Sequence, residues 1–413
     1  MIGRYRALFS EPGFGRLLAS SILGRLPSGM FSLALLLFVR SRTDSFLAAG
    51  VAVAAFSLAG AGVGPLLGAL VDRVGQTRVL IPAACAQAAL LVAFVAVAQA
   101  GAPVAVDVAL AALAGAVQPP IAGCIRALWS LLARDSETLE TAYALDATTQ
   151  ELIWTLGPLL VGSTAVLLSP AAAVLACAAI TVCGTVFFAT AKLSSESRGQ
   201  APERSRAGAL TSPGLRALLV TVLFAGVVIG AVEVALPALA VQHGARWSTG
   251  PLLALFSVGS MAGGLAYAAT RWRSSIGPRY AMLLAAMAAG VAPLIAVHAL
   301  GAAYPLSVLA GLGVAPMLSC QFSLVGALAP AGTATEAFTW HRGATIAGMA
   351  AGSTLGGSLV DAHGAGGAFA LGCVGVALAC VLALLWRRRL DPAPARDTRN
   401  ALPAATPLDS PGL

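Results

Sequence analysis

Charge is what this sequence has least of. Of its 413 residues only 10% are Asp, Glu, Lys or Arg, against about 25% in a soluble domain. With 58% apolar residues and a mean hydropathy of +0.86, the deficit is too large and too even for a soluble protein with one anchor. Paired cysteines are also missing. Cys85, Cys124, Cys177, Cys183, Cys320, Cys373 and Cys380 lie within apolar runs and none forms a CxxC pair, so they read as small packing residues and not as disulfide partners or metal ligands. No Gly-rich loop ends in Lys as a phosphate cradle would, which argues against direct ATP coupling. No Ser/His/Asp or metal-ligand set recurs at usable spacing, and the segments on one side of the apolar runs are too short for a catalytic domain. The expectation is therefore no enzyme, no catalytic residues, no cofactor and no metal. The net charge of +8 does not indicate nucleic acid, because the basic residues fall in short clusters between apolar runs.

What the chain does have is apolar length. A bilayer span needs about 20 mostly apolar residues, and that ruler places spans at roughly 14–39, 46–71, 79–100, 104–131, 141–168 and 171–191, then 214–241, 249–270, 279–300, 304–328, 334–360 and 366–386. Several carry Gly or Pro where a helix could break. The first apolar segment is read as a retained span, since no cleavage site with a soluble chain follows it. Twelve spans put both termini on one side. On that arrangement nineteen basic residues face the side of the termini and three (Arg40, Arg42 and Arg246) face the other, with Arg25, Arg126 and Arg342 inside spans. Basic residues mark the cytoplasmic face, so both termini are expected there. The expected fold is an all-α integral membrane protein of twelve transmembrane helices in two six-helix bundles. The bundles cover residues 1–191 and 214–386, with a Ser/Arg-rich cytoplasmic linker at 192–213 and a Pro/Ala-rich disordered tail at 387–413.

One polar stretch, "GALVDRVGQTR" from Gly68 to Arg78, falls between the second and third spans. Gly68 and Gly75 permit close helix contact and a tight turn. Asp72 is placed to accept bonds from a neighbouring helix N-terminus, where an anion is favoured, while Arg73 and Arg78 hold the loop inside. This stretch is similar to the signature G-x-L-x-D-x-x-G-[RQ]-[RK] of the major facilitator superfamily, which Gly68, Leu70, Asp72, Arg73, Gly75 and Arg78 match. The two-times-six layout is similar as well. The resemblance implies a latch in this loop between spans 2 and 11 that opens during alternating access. The equivalent stretch after span 8 has Ala268 where the Asp would be, so the latch is expected to be one-sided. In span 5, "IWTLGPLLVG" partly resembles the export members' Gly-Pro motif. Gly157, Pro158 and Gly162 match, while Ile153 and Val161 replace glycines; a bend at Pro158 is expected, and the resemblance leans toward export.

Ionisable groups at membrane depth are the functional candidates. Arg25, Arg126, Asp146 and Glu151 lie roughly 10–15 Å from the cytoplasmic ends of their spans and are expected to form one charge network, with Arg126 similar to the basic residue of the family's span-4 motif. Asp146 and Gln150 share a face, whereas Glu151 points about 140° away. One reading is a buried network that fixes helix packing; the other is that Glu151, or Asp146, exchanges a proton. Gln150, Glu233 and Arg342 are the cavity candidates, and Pro237 one turn beyond Glu233 suggests a discontinuous helix. Together these point to a monomeric plasma-membrane secondary transporter, with small-molecule substrate, protons and lipid as its partners. The leading expectation is proton antiport that exports a hydrophobic or amphipathic compound. The alternatives are proton-coupled import of a metabolite or organic anion, or a lipid-handling or non-transporting scaffold.

Overall fold

The computed structural model describes residues 14–132, 136–196, 208–270, 272 and 274–391. The first thirteen residues, residues 197–207 of the expected linker and the tail from 392 lie outside them. The described residues are helical throughout, with no strand among them. The first half holds α1 (Phe14–Thr43), α2 (Phe46–Val74), α3 (Gln76–Gln99), α4a (Val104–Ala116), α4b (Ile121–Leu132), α5 (Ser136–Leu167) and α6 (Pro170–Ala189). The second half holds α7 (Pro213–Gln242), α8 (Thr249–Ala269), α9 (Ile276–Val291), α10a (Leu300–Gly311), α10b (Val314–Leu328), α11 (Ala334–His363) and α12 (Ala365–Leu385). Among the described residues, ten helical segments are long and apolar enough to cross a membrane. α5 and α11, at 32 and 30 residues, have the length as well but carry more polar residues.

The interruptions follow local chemistry. α4 breaks at 117–120 because Pro119 and Pro120 withdraw two N–H donors in succession. α9 was expected to run to about residue 300; it ends at Val291 and continues as a 3-10 turn, Ala292–Ala296, with Pro293 at its start. α10 starts at Leu300 and breaks beside Gly311 and Gly313. Proline alone does not break a helix here: Pro158 lies inside α5 and Pro237 inside α7, and both helices run through unbroken. The discontinuity expected at Pro237 is therefore absent.

Helix contacts repeat between the halves and use glycine to bring backbones together. In the first half, Gly157 of α5 lies against Gly29 of α1 so closely that an added methyl would collide with the Gly29 backbone. In the second half the same pairing joins α7 to α11: methyls at Gly230 and Gly348 would strike the carbonyls of Met349 and Leu223. Without a hydrophobic drive between helices in lipid, such close packing and its dispersion contacts hold the bundle.

Phe14 and Leu390, near the two described chain ends, sit at one end of the bundle, termed basal; the other end is distal. The basal core of the first half (Leu17, Leu80, Trp129 and Tyr143) merges with the core of the second half into one cluster. The distal core of the first half (Phe38, Phe56, Phe94 and Val161) is a cluster of its own. The buried cores of the two halves thus join basally, while the distal core of the first half stays separate.

Candidate functional site

Two features shut the basal end. At the edge, Asp72 in the last turn of α2 receives two backbone N–H bonds from the start of α11: Thr335 to Oδ1 at 3.1 Å and Glu336 to Oδ2 at 2.9 Å. A carboxylate at a helix N-terminus gains from the free amides and the helix dipole. Gly68, one turn earlier, leaves room for this approach, since a methyl there would collide with Glu336 and Thr339. The loop expected to carry these groups is shorter than the sequence suggested. A single residue, Gly75 with φ 100°, separates α2 from α3, so Asp72 and Arg73 belong to α2 and Arg78 to α3. Arg73 and Arg78 are both exposed.

Deeper in, an aromatic plug spans the halves. Tyr143 of α5 packs on Phe322 of α10b and Phe338 of α11, with ring centroids 6.3 and 5.9 Å apart. The Arg126 guanidinium of α4b lies over the Phe322 ring, 3.8 Å from its centroid.

Ala268 carries no acid to mirror Asp72, and a different pair joins the halves on the other side. Arg279 at the start of α9 donates to Glu140 of α5 at 2.7 Å and joins the halves a second time. Arg279 is itself held by the Ser274 carbonyl at 2.9 Å, the Tyr267 hydroxyl at 3.3 Å and the Trp272 ring at 5.3 Å. The second half therefore supplies a cation where the first supplies an anion.

The charge network forms with one change of membership. Asp146 is shared by Arg25, through Oδ1, and Arg126, whose Nε donates to Oδ2 at 2.7 Å. Arg25 also donates to Gln150 Oε1 at 3.2 Å. All three charged groups are buried, at 3%, 4% and 1% exposure for Arg25, Arg126 and Asp146, so each is paired where water cannot solvate it. Glu151 is not part of this set. Its turn of the helix carries it to the seam with α8 and α7, where it faces Ser260 and the carboxylate of Glu233. Glu233 is exposed and Glu151 half-buried. Arg342 donates across the halves to Gln118 Oε1 at 3.4 Å, beside the break in α4. Of the span-5 motif, Gly157 makes the α1 contact; Gly162 has open space around it. Sequence reading missed Glu140, Arg279, Gln118 and the three plug aromatics. Nothing in local spacing marks them, because each partner comes from the other half.

Helices of membrane length in two similar halves, joined at one end around buried charges, define a polytopic helical membrane fold. The family model of the Major Facilitator Superfamily matches residues 17–340, and the chain belongs to that family. An uncharacterized MFS-type transporter, y4rN, of Sinorhizobium fredii is 31% identical over 197 residues, covering 43% of this chain and 45% of that one. The chain thus spans less than half the length of that relative. Three solved structures share the fold. A bacterial homologue of the iron transporter ferroportin in an outward-facing state has a TM-score of 0.75 at 14% identity, over 91% of this chain and 99% of that one. The human organic anion transporter MFSD10 gives 0.70 at 18%, over 91% and 100%. The E. coli fucose:proton symporter FucP gives 0.68 at 15%, over 92% and 99%.

Proposed function

We propose that the chain is a proton-coupled antiporter that exports hydrophobic or amphipathic small molecules across the plasma membrane, acting as a monomer. In this reading α1–α12 are twelve spans, six on each side of the 192–213 linker, and the basal end with both termini is cytoplasmic, as its basic residues indicate. The closed basal end is then a closed cytoplasmic gate, and the cleft opens outward.

The observation that carries proton coupling is the contrast between the two acids of α5. Asp146 is fixed between two guanidiniums, and a proton arriving there would leave a buried pair of cations uncompensated. Glu151 has the Ser260 hydroxyl and the Glu233 carboxylate within electrostatic reach, so a proton relieves like-charge repulsion instead of breaking an ion pair. Glu151 also stands at the seam between the halves, where alternation of the cleft changes its access to water. Proton coupling on this architecture is stated for the fucose:proton symporter. The export direction is supported by Gly157 and Pro158 of the partial span-5 motif.

The test is uptake into inside-out vesicles. An imposed pH gradient should drive accumulation of an exported dye, and Glu151→Gln should remove that drive while the protein remains inserted and monodisperse. Gradient-driven uptake by the variant at the wild-type rate would overturn the assignment.

A further inference from the structure

The charges at the floor of the cleft do not balance. Arg25 and Arg126 share one carboxylate, that of Asp146. Arg342 lies within electrostatic reach of both arginines, and its hydrogen-bond partner is a neutral amide oxygen at the long distance of 3.4 Å. Three guanidiniums therefore face one carboxylate, enclosed by apolar helices. An arginine does not shed its charge as a lysine can, and an unpaired charge at this depth costs several kcal/mol. Among the described residues Arg342 has a neutral amide as its hydrogen-bond partner, while Glu151 and Glu233 lie within electrostatic reach of each other.

The position of Arg342 turns this imbalance into a site. It stands four residues beyond Phe338 on α11 and so shares its face. Phe338 packs into the basal plug, which puts the half-buried guanidinium one helical turn from the plug. The opposite wall is the interruption of α4, where Pro119 and Pro120 end the helical ladder and Gln118 projects its amide toward Arg342. Non-helical backbone at membrane depth is tolerated where it is enclosed by protein or lines a cavity, and broken helices of this kind form substrate sites in transporters.

We infer that Arg342, with Gln118 beside it, is the docking group for an anionic head, a carboxylate or sulfonate, on the amphipathic cargo. This rests on the transport reading of the same cleft. The planar guanidinium fork matches a carboxylate through two parallel N–H···O bonds. The Gln118 amide adds an N–H donor for the second oxygen once its own oxygen gives up the arginine. Apolar stretches of the cleft above take the tail. One bound anion leaves the floor with two carboxylates against three guanidiniums. The fixed triad is untouched, so the head group and not the ion network answers for the charge of Arg342.

The experiment is equilibrium binding to the purified full-length protein in neutral detergent, with no pH gradient. Two probe series differ only in head charge: 1-naphthoate, 1-naphthamide and 1-naphthylmethylammonium, and octanoate, octanamide and octylammonium. The anion of at least one series should bind roughly 10-fold or more tightly than its amide, the worth of one charge-assisted contact, and its ammonium weakest. Arg342→Gln should bring the anion down to the affinity of the amide and leave the amide unchanged; Arg342→Lys should recover part of the preference. Equal affinities across both series would overturn the assignment, and so would an anion preference that survives Arg342→Gln. If the glutamine variant does not fold, the head-charge ranking of the wild type and the lysine variant still decide it. Anion preference without proton-driven accumulation would leave this site standing and remove the coupling reading. Proton-driven accumulation of the ammonium probes without anion preference would do the reverse.

Discussion

Asp72 shows how much one side chain can hold when its partners are backbone amides. Thr335 and Glu336 donate to its two oxygens, and both N–H groups belong to the unsatisfied first turn of α11. Asp72→Ala strands these donors in the closed state at a cost of about 1–3 kcal/mol. The expected outcome is a shift toward the basally open state and slower substrate turnover with binding retained. Labelling of an engineered basal cysteine should then accelerate; unchanged labelling and turnover would reduce the contact to a topology marker. This carboxylate was legible in the sequence because its neighbours at fixed spacing, Gly68 and Gly75, are the residues its geometry requires. The 140° offset between Asp146 and Glu151 was legible too, and it separates the fixed acid from the seam acid. The identity of their partners was not: Ser260 and Glu233 come from the other half, and no local pattern records a neighbour more than 80 residues away.

At the scale of the element, close glycine contact sets how helices pair. Because a methyl at Gly230 would meet the Met349 carbonyl, Gly230→Val must push α7 from α11 and should destabilise the protein by about 1–3 kcal/mol. Thermal unfolding in detergent checks this, with Gly162→Ala as a control expected near wild type, since nothing surrounds that position. A second element-level tie lies at the distal end of α7. His243 Nδ1 is 2.9 Å from the Leu239 carbonyl and Nε2 is 3.1 Å from the His298 carbonyl, and only the imidazolium donates to both. These two bonds raise the His243 pKa above its ordinary 6.5. A raised folded value means the contribution is fully present below about 6.5 and fades as pH climbs through the raised value. The Tm gap between wild type and His243→Gln should therefore be larger at pH 5.5 than at pH 8.5; a gap that grows with pH would refute the tie. Helix existence and order were readable from apolar length alone. Helix continuity was not, because Pro119 with Pro120 breaks α4 whereas the single prolines Pro158 and Pro237 leave α5 and α7 whole.

For the molecule as a whole, two basal contacts of opposite sign tie the halves together, Asp72 on the start of α11 and Arg279 on Glu140 of α5. Their partners are 264 and 139 residues apart in the chain, so the motif revealed the first and concealed the second. Reversing the second pair tests whether it is a gate. Glu140→Arg and Arg279→Glu should each favour the basally open state, and the double exchange should restore closure, read by a spin-label distance across the basal end. Failure of the exchange to restore the distance would assign Arg279 to the Tyr267–Trp272 packing instead. The one-residue junction at Gly75 carries the closure further. A joint of that length has no slack, so α2 and α3 work as the two arms of a bell crank: whatever turns Asp72 off α11 is delivered to Gln76 and Thr77. Thr77 bonds the Ala189 carbonyl at 3.0 Å, and Gln76 receives the Ser194 hydroxyl at 2.8 Å, where the chain leaves the first half. Ser194, near the last described residue of the first half, is thus bonded to the residue that follows the Gly75 junction, four positions beyond Asp72.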